Sequence, residues 1–250
     1  MNTRSLKDKT IVVTGGAGGI GTAICEACAA TGARLVITYN SDAARAERLA
    51  QRLPGDHMVA HAPVDDSAAL ARLANQVRER YGTVDVLVNN AGFTHPVPHA
   101  DLDALDDELI DQIFRVNWRG AFAAVRAFRS LLDEGDGGLI INMSSIAGTT
   151  GFGSNVAYCA SKAALDSLTR SLARALAPKI RVLSIAPGWV EGDYAQRFDP
   201  AILNQQRQRT PLQRIAHSED VANAVLAAAT LLTFSTGTII HVDGGRPLGN

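Results

Sequence analysis

Short apolar, β-branched runs alternate with longer stretches of helical pattern along the whole chain. Seven runs read as strands: "TIVVTG" (10–15), "RLVITY" (34–39), "HMVAHA" (57–62), "VDVLVNN" (84–90), "GLIINMSS" (138–145), "IRVLSIAP" (180–187) and "GTIIHVDGG" (237–245). Near-continuous apolar strands separated by helices predict a parallel sheet covered on both faces. The expected class is α/β: a single doubly wound Rossmann-type domain over residues 1–250, with seven parallel strands. No repeat or low-complexity linker divides it. A helix over 156–177 carries apolar positions at Ala164, Leu165, Leu168, Leu172 and Leu176. Residues 189–210 break the rhythm with a long polar stretch after the sixth strand. Ligands of open α/β sheets bind beyond the carboxyl ends of the strands, so this insertion is expected to be a substrate lid.

Composition narrows the partners. The 250 residues carry a net charge of −1, with 46% hydrophobic and 20% charged residues. That balance predicts neither nucleic acid nor an anionic membrane as partner. The N-terminus shows no signal-peptide pattern, and the longest mostly apolar stretch, Val221 to Phe234, is too short to span a bilayer. Three cysteines, Cys25, Cys28 and Cys159, cannot all pair within the chain, and reduced thiols in a cytoplasm are the expected state. Cys25 and Cys28 read as small packed helix residues, and no metal site is expected, because two thiols supply too few ligands. His95 and His99 lie in a proline-rich loop and read as surface or pocket-rim residues.

Two stretches carry chemistry. "TGGAGGIG" (14–21) follows the first strand and opens a helix, where glycines let backbone approach a pyrophosphate. It parses as Gly16, Gly18 and Gly21 of G-x-G-x-x-G, or as Gly15, Gly19 and Gly21 of a wider spacing. "AYCASKAALDSL" (157–168) sets Tyr158 and Lys162 one helical turn apart. A free phenol, with a pKa of about 10, is a poor base near neutrality, and a neighbouring ammonium lowers that value. Tyr158 is then a candidate general acid/base and Lys162 its tuner. A serine at the expected end of the fifth strand, Ser144 or Ser145, can donate to a developing alkoxide.

These stretches, in this order, resemble the short-chain dehydrogenase/reductase family along nearly the whole chain. "TGGAGGIG" matches its T-G-x-x-x-G-x-G loop, followed by "NNAG" (89–92), "VNWRG", "INMSS", "YCASK" and "PG" (187–188). Bacterial 3-oxoacyl reductases and related carbonyl reductases look most similar. The resemblance implies Asn117, Ser145, Tyr158 and Lys162 as catalytic residues, with Lys162 also on the nicotinamide ribose and Asn117 holding a water on a proton path. It implies cofactor contacts at Gly15, Gly16, Gly18, Gly19, Ile20, Gly21, Tyr39, Asn40, Ser41, Val64, Asn90, Ala91, Gly92, Tyr158, Lys162, Pro187, Gly188 and Val190. A homodimer or homotetramer is also implied. The expected activity interconverts a small carbonyl substrate and a secondary alcohol. Two alternatives stand beside it: a 3-oxoacyl thioester reductase, and a non-catalytic NADP-sensing regulator.

The chain departs from the family's pattern in three places. Pro63 stands where an acidic residue often meets adenine. Gly192 replaces a threonine that helps hold the carboxamide, with Asp193 or a backbone group as its candidate substitute. An acidic turn at 133–136 stands where carrier-protein reductases are usually basic, which predicts a poor fit to an acidic carrier. NADP(H) is the preferred cofactor and NAD(H) the alternate. Tyr39 occupies the place of the carboxylate that selects NAD, and Asn40 and Ser41 can donate to a phosphate. Arg45 can add charge there, and Asp42 reads as a helix cap. Ala17 and Gly18 leave the glycine loop without a basic residue.

Overall fold

A computed structural model describes residues 4–192, 195–197 and 199–248. The strands are β1 (Thr10–Val13), β2 (Arg34–Tyr39), β3 (Met58–His61), β4 (Val86–Asn89), β5 (Gly138–Met143), β6 (Ile180–Pro187) and β7 (Ile239–Val242). The helices are α1 (Gly19–Ala29), α2 (Ala43–Arg52), α3 (Ser67–Tyr81), α4 (Asp107–Phe114), α5 (Ala121–Asp133), α6 (Ala147–Thr150), α7 (Val156–Leu176), α8 (Pro200–Gln208) and α9 (Ser218–Thr230). A π-helical turn, Arg115–Gly120, joins α4 to α5. No helix among the described residues is long and apolar enough to cross a membrane.

All seven strands join one sheet in the order β3-β2-β1-β4-β5-β6-β7, every pair parallel. The strand periodicity explains the layers, because successive side chains point to opposite faces. Ile11, Val13, Leu35 and Ile37 face one core, packed under α1, α2 and α9. Val12 and Val36 face the other, with Leu70 and Leu73 of α3 and Phe128 of α5. Each strand therefore feeds two cores, and its sequence reads as continuously apolar rather than alternating.

The strand order reverses between β1 and β4. After β3 the chain crosses back and lays β4 beside β1, with Ile11 opposite Val86. A crevice opens at the carboxyl ends where neighbouring connections diverge. The seven expected strands all form, but β5 stops at Met143, so Ser144 and Ser145 lie just past it. The acidic turn 133–136 precedes β5 and so sits at the amino edge, roughly 20 Å of strand away from the crevice. Glu134 there pairs with Arg78 at 2.7 Å, and Asp136 lies 4.0 Å from Lys9. Two of the three carboxylates of this turn thus have cationic neighbours.

Candidate active site

The crevice is tied together by one hydroxyl. Thr14 Oγ1 accepts from the backbone N–H groups of Asn90 and Ala91 at 3.0 and 3.1 Å. The Asn90 side chain donates to the carbonyls of Thr14 and Gly15, both at 3.0 Å. On the other side, Gly15 N–H donates to Thr38 Oγ1 at 3.2 Å. The glycine loop is thus fixed to both neighbouring strands. Gly15 adopts φ +61°, the left-handed region that glycine favours. A Cβ at Gly21 would stand 2.5 Å from the Gly15 carbonyl, so helix and loop can approach this closely only at glycine. Sequence reasoning missed Thr38, whose only signal is a hydroxyl at a strand end, and gave Thr14 no role beyond opening the glycine motif.

The catalytic candidates gather across β5 and α7. Asn155 caps α7, its Oδ1 accepting from Tyr158 N–H at 2.7 Å. Its Nδ2 donates to the His95 carbonyl at 2.7 Å. This buried asparagine sets the first turn that carries Tyr158, and it too escaped sequence reading. Lys162 is 6% exposed; its ammonium donates to the Met143 carbonyl at 2.8 Å and lies 5.6 Å from the Tyr158 ring centroid. Burial pushes the Lys162 ammonium down to about 8, while Asp166 pulls it the other way.

The two serines after β5 diverge. Ser144 is buried and its hydroxyl donates to the Lys162 carbonyl at 3.3 Å. Ser145 Oγ accepts from Ala147 N–H at 3.2 Å, which leaves its hydroxyl hydrogen to donate elsewhere. Asn117 is buried in the π-helical turn. Its Nδ2 donates to the Phe93 carbonyl and to Ser161 Oγ, each at 3.0 Å, and its Oδ1 accepts from Phe93 N–H at 2.7 Å. Gly92 closes the gap between them: a Cβ there would lie 3.5 Å from Asn117 Oδ1 and 3.7 Å from Lys162 Nζ.

A family model described as enoyl-(acyl carrier protein) reductase matches residues 15–246. A Streptomyces violaceoruber protein described as ketoacyl reductase 2 of the granaticin polyketide synthase is 37% identical, over 99% of this chain and 100% of that one. A 3-oxoacyl-[acyl-carrier-protein] reductase of Aquifex aeolicus is 34% identical, over 96% of this chain and 98% of its own length. A 3alpha-hydroxysteroid dehydrogenase of Mediterraneibacter gnavus is 34% identical, over 96% and 97% of the respective chains. A solved short-chain dehydrogenase/reductase of Brucella melitensis superposes with a TM-score of 0.90 at 29% identity, covering 98% of this chain and 99% of that one. The chain belongs to the short-chain dehydrogenase/reductase family. As a short-chain oxidoreductase it acts on CH–OH groups with a nicotinamide cofactor.

The residues of this short-chain enzyme suit that cofactor. Gly18 caps α1 with no side-chain hydrogen bond, and no acidic residue stands in the first turn. A Cβ at Gly19 would meet nothing within 4 Å. The N–H end of α1, from Gly19 through Ile20 and Gly21, therefore opens toward an anion with its amides uncapped. Tyr39, at the end of β2, packs against His61, ring centroids 5.4 Å apart, and Asn40 and Ser41 beyond it are exposed. Asp42 Oδ1 accepts from Arg45 N–H at 2.8 Å, as a helix cap does. Val64 is buried against Gly120, where a Cβ would stand 2.7 Å from its side chain. Pro187 accepts from Ile146 N–H and Gly188 donates to Val242, each at 3.0 Å. Val190 bridges Ala216. Asp193 lies outside the described residues.

The insertion 189–210 includes the helix α8. Glu191 at its root meets Arg207 of α8 at 3.4 Å and His217, the cap of α9, at 3.2 Å. Beside this joint a cleft of about 310 Å³ runs between Gly19 and Thr22 of α1 and Glu191, His217 and Ser218.

Proposed function

We propose that this protein interconverts a carbonyl and a secondary alcohol using NADP(H), with Tyr158 as the general acid/base. One observation carries the reading: a buried ammonium lies 5.6 Å from the phenol ring that it tunes, at the carboxyl edge that also holds the glycine crevice. The nicotinamide, when bound, supplies the hydride in reduction and takes it in oxidation. Ser145 donates its free hydroxyl hydrogen to the substrate oxygen and steadies the alkoxide. Tyr158 gives its proton to that oxygen, and Lys162 favours the phenolate left behind. Lys162 also holds the nicotinamide ribose. Asn117 keeps one Oδ1 lone pair for a water between Lys162 and solvent.

The preference for NADP(H) rests on the end of β2. Tyr39 places no carboxylate against a 2′-phosphate, and exposed Asn40 and Ser41 offer donors. The segment 189–210 serves as the substrate lid, hinged where Glu191 joins α8 to α9. The protein works in the cytoplasm as a homodimer or homotetramer, and exposed Leu231, Leu232 and Phe234 near the edge strand β7 support association.

A second reading, reduction of a 3-oxoacyl thioester, is favoured by the two relatives described as ketoacyl and 3-oxoacyl reductases. One assay separates the two. Ketones, secondary alcohols, 3-oxoacyl coenzyme A esters and their carrier-bound forms are offered with NADPH and NADH, and cofactor absorbance is followed. Turnover of free ketones at kcat/KM above the thioesters supports the first reading. Turnover confined to thioesters supports the second. No cofactor consumption with any of them removes both.

A further inference from the structure

Tyr158, Lys162 and Asp166 follow one another at intervals of four residues along α7, and so share a face. The third member has no role in the mechanism above. Asp166 is 2% exposed. Its Oδ1 accepts from Ser184 Oγ of β6 at 2.8 Å. Its Oδ2 is buried and has no hydrogen-bond partner among the described residues. A buried carboxylate with one oxygen unsatisfied is costly unless an opposite charge offsets it.

The surrounding elements leave few sources for that charge. β5 contributes no ionisable side chain, and neither does α6. β6 contributes Arg181, which is turned to the carbonyls of Ala228, Leu232 and Ser235. The π-helical turn contributes Arg115 and Arg119, both exposed, and Arg119 donates to the Asp65 carbonyl. From α4 come Asp107, Glu108 and Asp111, all exposed. On α7 itself, Tyr158 and the Cys159 thiol lie before Lys162, and Arg170 and Arg174 lie exposed beyond Asp166. Lys162 is the buried cation that remains.

Resting on the catalytic reading of Tyr158 and Lys162, we propose that Asp166 is a positioning residue: its buried carboxylate, oriented by Ser184, keeps Lys162 charged beneath the phenol. Desolvation drives the ammonium toward its neutral form, and Asp166 acts in the opposite direction. Without it, Lys162 would lose its proton at lower pH, and the phenol would lose the charge that tunes it.

The test is the pH profile of kcat in the reductive direction, from pH 6 to 10, for the parent, Asp166→Asn and Asp166→Thr. The second variant is smaller and also neutral, and serves if the amide is not accommodated. The expected result is an alkaline limb displaced to lower pH by roughly one unit. At pH 9 the rate would then fall about tenfold against the parent, with near-parental turnover at pH 6.5. A folded variant whose rate falls by one factor at every pH marks a purely structural Asp166 and overturns the proposal. Tyr158→Phe assayed in parallel separates the two ideas. Parental turnover in that variant removes the reading on which Asp166 depends. Loss of turnover there, with an unmoved limb in the Asp166 variants, removes Asp166 alone.

Discussion

Lys162 is the residue on which chemistry and stability meet. Its ammonium sits near 8 in the folded state against 10.5 for the exposed group. Below pH 8 both states hold the proton, and the folded state bears the cost of burying it. Between 8 and 10.5 the unfolded chain binds more protons, so stability rises with pH. The gain amounts to about 3 kcal/mol across that window. The buried thiols act the other way, with Cys28 pushed up to about 12 by burial. Denaturant unfolding of the parent against Lys162→Met therefore isolates the lysine: the parent should gain on the variant from pH 8 to 10.5, and a constant difference would contradict the buried charge. For Tyr158→Phe, the ring still packs and the transferable proton is gone. We expect kcat to drop by about 10²–10⁴ with cofactor affinity largely intact, read by fluorescence titration.

At the scale of elements, the strands were legible as short continuous apolar runs, because both faces of the sheet are covered, and α7 through its period-3.6 stripe. Motif spacing singles out Ser145, Tyr158 and Lys162 as candidates. What stayed hidden was the support around them. Asn155 in "SNVAY" is an ordinary polar letter until α7 begins beside it. Thr14 becomes a staple only when β4 lies against β1. Asp166 stands out only once β6 covers it and Ser184 meets its carboxylate. Asn155→Ala should cost about 1 kcal/mol as a lost N-cap. It should also lower kcat more than cofactor affinity, since the cap fixes the turn of Tyr158 and the loop at His95; equal turnover in a destabilised variant would limit Asn155 to capping. The segment 189–210, joined to the body through Glu191, should gain hydrogen-exchange protection when cofactor and substrate bind together. Equal protection in both states would make it a fixed insertion.

For the whole molecule, ligand binding and stability are linked. A cofactor present at 100 times its Kd should stabilise the fold by about 2.7 kcal/mol, read as a rise in Tm. At equal concentration NADPH should raise Tm more than NADH, and Tyr39→Asp should reverse that order; a larger shift with NADH in the parent would overturn the choice. The Thr14 staple has a different consequence, in the order of events during synthesis. It joins residues 76 and 77 positions apart in the chain. The glycine loop therefore cannot take its final shape until the ribosome has released residues 90 and 91. Segments fold from the N-terminus as they emerge, yet contacts of large sequence separation form late. The nascent chain displays its most recognisable motif early and cannot use it until more than a third of the protein exists.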